Sequence, residues 1–472
     1  MSIEVEDAQG LVASAYGHLP HGCFLLLEIV DPAAARGWLT RLAGTITTAA
    51  GRVDGEAVNM ALTPSGLEKL GVPASARHGF SREFQDGMTE SSRRRVLGDT
   101  GDSAPEYWAW GSPDTAPIDL VLLIYASTPG RLDQALDGHG DALRVEGTGL
   151  REVHRLDARR DDREHFGFHD GISQPVIDGL NSGPTHPARD TIKAGEFLLG
   201  YENEYGQFTA RPLLDPAQDP ERLLPLDAQG SGRHDLGRNG TYLVLRQLAQ
   251  DVSQFWTHVE AVAQTSDNGY GDATALAARM VGRWPNGAPL VLSPERDDPA
   301  LSSANDFTYH QPDQLGLRCP IGAHVRRSHP RDSLDPNPGS DTSIAIDRRH
   351  RLLRRGRVYG PRLDRTEALR GGDQEERGLH FMCVGASLSR QFEFIQHTWV
   401  LSPKFDGLYE DADPLIGPAG RTFTIQARPT RRRVRDLPAF VQTRGGAYFF
   451  MPGIRALRWL ASGAPGGPGG VS

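Results

Sequence analysis

The run Cys23-Phe24-Leu25-Leu26-Leu27-Glu28-Ile29-Val30 is apolar at every position but Glu28. A short, nearly continuous apolar run belongs to a strand covered on both faces. Asp31-Pro32 follows, an N-cap residue and a first-turn proline. A helix is predicted from about Ala33 to Thr48, with Trp38, Leu39 and Leu42 on one side. Thr63-Pro64 opens a second short helix, which Gly71 closes after Leu70. Ile118 to Tyr125 reads as a further strand, followed by Pro129-Gly130 and a helix.

The second half repeats this order. Thr241 to Leu245 reads as a strand, and Asp251 caps a helix in which Val252, Phe255, Val259 and Val262 recur at helical spacing. Farther on, Leu379 to Val384 is a strand, and Ser387 caps a helix carrying Phe392, Ile395 and Trp399. The doubled pattern predicts an α+β chain of two similar halves with antiparallel sheets. The halves are placed at residues 1–195 and 196–460, with a flexible Gly/Pro-rich tail at 461–472. Polar linkers are expected at about Asn181–Arg189 and Asp215–Gly240. Asp297–Gly360 has no long periodic segment, and its content marks that loop as functional.

Bulk properties exclude several classes. A net charge of -9 argues against a general nucleic-acid or acidic-membrane binder. Arg93-Arg94-Arg95 and Arg431-Arg432-Arg433 are short enough to be solvated faces. Cys23, Cys319 and Cys383 form no CxxC pair, which suits a reducing compartment and not a zinc ribbon. Residues 1–10 contain no signal-type apolar run, and no stretch of 18 apolar residues exists. A cytoplasmic protein that spans no membrane is expected.

Four segments carry chemistry. In Gly167-Phe168-His169-Asp170-Gly171-Ile172-Ser173-Gln174-Pro175, two glycines bracket an acid and let backbone approach a flat ligand. Taken alone, such an aspartate is a turn residue. Arg318-Cys319-Pro320-Ile321-Gly322-Ala323-His324-Val325-Arg326-Arg327-Ser328-His329-Pro330-Arg331-Asp332 offers two histidines and four arginines. Leu352-Leu353-Arg354-Arg355-Gly356-Arg357-Val358-Tyr359-Gly360 reads alone as a surface turn. Gly378-Leu379-His380-Phe381-Met382-Cys383-Val384, leading into Arg390-Gln391-Phe392-Glu393-Phe394-Ile395, reads alone as core.

Together and in this order, the four resemble the dye-decolorising peroxidase family, across roughly Gly22 to Pro452. The resemblance is to its longer soluble members and is sharpest in the GFxDG, AHxRRxxPR, LRRG and LxFxC…RQFEFIQ…W blocks. It implies two ferredoxin-like halves, each an antiparallel sheet flanked by helices, with haem b bound in the C-terminal half. It implies His324 as the proximal iron ligand, Asp170 as the distal acid-base residue and Arg354 as the distal arginine. Haem contacts fall on Gly171, Ile172, Ser173, His329, Pro330 and Arg331, and Leu379 and Phe381 match the apolar pair of the distal pocket. His329 stands where many relatives carry asparagine and brings a second imidazole near the haem; His324 holds the AHxR position and is read as the ligand.

The residue chemistry is compatible. Haem needs an axial imidazole, an apolar slot and cations for two propionates, and Arg326 and Arg331 are expected as propionate partners. A carboxylate should hold the proximal imidazole, with Glu393 one candidate. The implied reaction reduces hydrogen peroxide to water through a ferryl-oxo intermediate and oxidises dyes or phenols by one-electron steps. Asp170 moves the proton and Arg354 stabilises the developing charge. An aspartate titrates near 4, which predicts an acidic optimum. Trp399, Tyr359 and Trp459 are candidate relays to bulky dyes at the surface. Homo-oligomerisation is a further family expectation. Two other readings use the same residues: a haem carrier on the same fold, which would need neither Asp170 nor Arg354, and a non-haem metal hydrolase built on His324, His329 and Asp170.

Overall fold

The computed structural model describes residues 2–144, 147–180, 188–265 and 272–463. The N-terminal half contributes strands β1 (His21–Ile29), β2 (Glu56–Leu62), β3 (Leu120–Ala126) and β4 (Leu150–Arg159). The C-terminal half contributes β5 (Thr241–Gln250), β6 (Leu353–Arg354), β7 (Arg357–Tyr359), β8 (Gly378–Gly385) and β9 (Val441–Met451). All their pairings are antiparallel.

In the first half the spatial order is β4-β1-β3-β2. In the second, β9 pairs with β5, β5 with β8, and β8 with both short strands β6 and β7. Each half therefore places its last strand beside its first, its first beside its third and its third beside its second, the ferredoxin-like order. The two edges meet at β2–β9, through Leu62 and Phe450, and at β4–β7, through Arg159 and Val358, so the sheet closes on itself.

The apolar run of β1 explains the layering. Cys23, Leu25, Leu27 and Ile29 pack under helices α1 (Pro32–Leu42) and α6 (Ile454–Ser462), through Trp38, Leu39, Leu457 and Trp459. Phe24 and Leu26 point the other way, into a second core shared with Leu243, Leu245, Met382 and Val384 of the other half. A strand with both faces buried has no polar register, which is why its sequence does not alternate. Asp31 caps α1 as expected, its carboxylate accepting from the Ala33 and Ala34 amides. The helix stops at Leu42, six residues before the predicted end.

Three further helices frame the site: α3 (Val252–Ala263), capped by Asp251, α4 (Ala273–Val281) and the short α5 (His324–Ser328); α2 (Pro129–Arg144) lies in the first half. The helix predicted after Ser387 is π-helical, over Ser389–Glu393 and Ile395–Val400. Wide π turns recur at functional sites, and this one forms a cavity wall. The expected long loop at Asp297–Gly360 contains α5 and a helix over Asp341–Arg348. Of the linker expected at about Asn181–Arg189, residues 181–187 lie outside the described residues, as do residues 464–472 of the tail expected at 461–472, whose first two residues instead end α6. Among the described residues no helix is long and apolar enough to cross a membrane.

Candidate active site

Between the helix-covered face of the C-terminal sheet and the surrounding helices lies a cavity of about 250 Å³. Leu248 and Gln250 of β5, Leu379 and Phe381 of β8 and Val441 of β9 form one wall. Phe392, Ile395, Gln396 and Val400 of the π segment, with Val281 and Leu415, enclose it elsewhere. Leu379 and Phe381 alternate on one strand, so both face the cavity.

Asp170 enters on a loop that leaves β4 and folds back on itself. The Gly167 amide donates to the Glu164 carbonyl at 2.9 Å and the Glu164 amide to the Phe168 carbonyl at 3.0 Å. Gly171 has φ +84°, a conformation that favours glycine, and a Cβ there would meet open space. Its amide donates to Asp170 Oδ1 at 2.6 Å. Arg354, on β6, donates to the same oxygen at 2.6 Å. Its second guanidinium nitrogen donates to the Ser173 carbonyl at 3.3 Å, and its amide to Gln174 Oε1 at 3.0 Å. Burial pushes the Asp170 carboxyl up, but the Arg354 charge and hydrogen bond, the Gly171 amide and the His324 charge outweigh it. The group titrates below the ordinary carboxylate range.

His324 opens α5. Its Nδ1 shares a proton with Asp413 Oδ2 at 2.8 Å, and Asp413 Oδ1 accepts from the Leu415 and Ile416 amides. Burial disfavours the imidazolium, but the Asp413 charge and hydrogen bond win and hold His324 above the usual histidine value. Asp413 is fully buried, whereas the His324 side chain keeps 30% of its surface. His324 is deep in the protein, so that surface faces the cavity. Its Nε2 makes no hydrogen bond among the described residues and is free for a ligand.

His329 is differently placed. Nδ1 lies 3.0 Å from Ser173 Oγ and Nε2 lies 3.1 Å from Asp347 Oδ2, so both ring nitrogens are taken. Burial and then the Arg351 charge push it down to about 4 despite Asp347, and it is neutral. His329 and Arg351 line both the large cavity and a small polar pocket beside it, shared with Asp190, Arg331 and Asp332. Among the described residues no group of three or more His, Cys, Asp and Glu is arranged to hold a metal ion.

The cavity thus gathers Asp170, Gly171, Ile172, Ser173, His324, His329, Arg354, Leu379 and Phe381. Pro330, Arg326 and Arg331 do not line it. Arg326 is committed to Asp313 at 3.1 Å and to the Cys319 carbonyl, and Arg331 to the carbonyls of Asn305 and Phe307. The cations on the cavity wall are Arg283, Arg351 and Arg354. Glu393 is not the partner of the imidazole: it binds Arg93 at 2.6 Å and Tyr448 at 2.8 Å, and Asp413 has that place. Trp399, Tyr359 and Trp459 are 5%, 9% and 2% exposed, so none offers a surface to a bulky dye.

Sequence reasoning missed Asp413, Arg283, Arg351, Glu164 and Gln250. Asp413-Pro414 looks like a turn, and nothing local ties it to a histidine 89 residues earlier. An imidazole with one nitrogen held by a buried carboxylate and the other free, apolar walls and wall cations form a donor set that fits haem.

No family model matches the chain, but known proteins are similar to it over most of its length. A dye-decolorizing peroxidase of Mycena epipterygia is 30% identical over 453 residues, covering 86% of this chain and 76% of that protein. The chain belongs to the dye-decolorizing peroxidase family. The dye-decolorizing peroxidase AauDyP1 of Auricularia auricula-judae is 29% identical, over 97% of this chain and 86% of that one. The crystal structure of AauDyP complexed with imidazole superposes with a TM-score of 0.79 at 27% identity, over 98% of this chain and all of that one. As a dye-decolorizing peroxidase this protein is a haem-dependent oxidoreductase.

Proposed function

We propose that the cavity binds one haem b through His324 and reduces hydrogen peroxide with Asp170 and Arg354, taking electrons from dyes and phenols. The carrying observation is that an ion-paired Asp170–Arg354 couple at 2.6 Å lines the same cavity as an imidazole with a free Nε2. A haem carrier has no use for the first of these.

The division of labour follows from the residues. When bound, haem would supply the redox centre that takes up the two oxidising equivalents of the peroxide. His324 Nε2 would hold the haem iron, and Asp413 fixes the tautomer of this imidazole and raises its donor strength. Asp170, ionised at neutral pH, takes the proton from one peroxide oxygen and returns it to the other, which departs as water. Arg354 balances the negative charge that grows as the O–O bond breaks. Arg283 and Arg351 line the cavity, as Arg326 does not, and are the cations assigned to the propionates, although Arg283 also donates to the Gly287 and Ala304 carbonyls and Arg351 to Asp190. His329 closes the wall and stays off the iron because both its nitrogens are taken. Three buried cysteines without disulfides support a cytoplasmic setting.

The test is an absorption spectrum of the haem-loaded protein before and after one equivalent of hydrogen peroxide. A Soret band that shifts rapidly on peroxide, and no longer shifts in Asp170→Asn, is expected. A band that peroxide never moves means a carrier; no band at all means that the cavity takes another ligand.

A further inference from the structure

The cavity holds a second carboxylate, Glu164, six residues before Asp170. Both of its oxygens accept. Oε1 takes the Phe168 amide at 2.9 Å, and Oε2 takes the Phe166 amide at 2.8 Å and the Gln250 side-chain amide at 2.7 Å. Burial, with the Asp170 charge, outweighs these three N–H partners and holds the Glu164 carboxyl above its ordinary value, but both oxygens are occupied by the turn and by Gln250. Its work is therefore structural, and the place where it acts is informative.

The two backbone amides belong to the turn that delivers Asp170. With the carboxylate across them, residues 164–168 close into a ring already tied by the Glu164–Phe168 and Gly167–Glu164 backbone bonds. Arg163 locks the same turn from outside, donating to the Gly167 carbonyl at 2.9 Å, and Phe166 stacks on Phe255 of α3 at 4.4 Å. Gln250 is the last residue of β5, in the half that also carries Arg354. The Asp170 loop extends from the other half. Glu164–Gln250 is thus a polar tie between the Asp170 loop and the sheet that presents Arg354.

We propose that Glu164 and Gln250 are positioning residues for the peroxide reaction: the carboxylate shapes the turn, and the amide registers it against β5 so that Asp170 meets Arg354. The inference rests on Asp170 being the proton-transferring group. Only a carboxylate serves here, because two N–H groups 2.8 and 2.9 Å away need two acceptor oxygens. A glutamine would turn one acceptor into a donor facing an amide.

The experiment compares Glu164→Gln, Gln250→Met and Asp170→Asn in the haem-loaded protein. For Glu164→Gln we expect an unchanged Soret band, an at least tenfold slower reaction with peroxide, and an acid limb of that reaction moved to higher pH as Asp170 loses its hold on Arg354. The titratable and charged groups around this turn, Arg163, His165, His169, Asp170 and Asp297, with Arg354 and His324 across the cavity, are all retained. Amide hydrogen exchange at Phe166 and Phe168, measured without haem, should accelerate at least tenfold. Gln250→Met keeps both carboxylate oxygens for the backbone amides and should show a smaller shift of the same sign; it decides the matter if Glu164→Gln does not fold. Unchanged peroxide kinetics and pH limb in a folded, loaded variant overturn the proposal, provided that Asp170→Asn is inactive. If Asp170→Asn itself reacts normally, the error lies in the role given to Asp170.

Discussion

Arg354 donates to Asp170 Oδ1 at 2.6 Å across 184 residues of chain, one partner from a loop after the first half's last strand and the other from the second half. The couple proposed to work on peroxide therefore forms only where two distant stretches of chain abut. Its electrostatics set the first expectation.

Because Arg354 holds Asp170 below its ordinary value of 3.8, the base is ionised through the whole neutral and mildly acid range. The second-order reaction with peroxide should stay level from neutral pH down to about pH 4 and fall only below it. The acidic optimum expected from the sequence is tested by the same profile. In Arg354→Leu, burial acts on Asp170 without its counterion, so the limb should move upward and the plateau drop at least about tenfold. Stopped-flow kinetics against pH measure both. A wild-type limb above about pH 5 would mean that another group titrates.

The pair His324–Asp413 should govern cofactor affinity. Asp413→Asn keeps a hydrogen bond but removes the charge behind the imidazole, and haem affinity should fall by about 10- to 100-fold. Titration of haem into the protein, followed by the Soret band, gives the number. An unchanged affinity would show that the carboxylate only fills space.

Two histidines close in sequence should behave oppositely. His324→Leu should abolish axial ligation, visible as loss of the ligated spectrum, whereas His329→Leu should preserve it and lower stability by stranding Ser173 and Asp347. A normal spectrum in His324→Leu would transfer the ligand role to His329.

Buried neutral histidines away from the cavity give the fold its own acid sensitivity. Burial pushes His165 and His380 down to about 4, from an ordinary value of 6.5. Since the unfolded chain binds protons first as pH falls, each contributes stability that is complete above about pH 6.5 and lost toward pH 4, on the order of 3 kcal/mol. His380→Leu should flatten the loss of denaturation midpoint over that window. An unaltered slope would mean that His380 is already charged in the fold.

Much of this was readable in sequence, for physical reasons. The strand at Cys23–Val30 and the caps at Asp31, Thr63 and Asp251 are local signals, and the structure has each of them. The strand Val441–Met451 escaped notice because Arg444, Gly445 and Gly446 interrupt its pattern, at the point where its pairing with β5 slips. At the cavity, Asp170, His324 and Arg354 sit in recognisable blocks. Asp413, Gln250 and Arg351 do not, since each gains meaning only from a partner far along the chain. Arg326 misled for the converse reason: beside His324 in sequence, it points instead to Asp313.

The closed sheet has a practical corollary. Each half has two outer strands whose free backbone groups are met, at Leu62–Phe450 and Arg159–Val358, only by the other half. Cut between β4 and β5, the chain would yield two fragments, each with sticky flanks on both sides. Expressed singly, such pieces should be prone to self-association; expressed together, they should find one another. With the cut placed after Asp170, the protein is thus a natural starting point for a split reporter, whose activity should return only on reunion if Asp170 and Arg354 act as proposed.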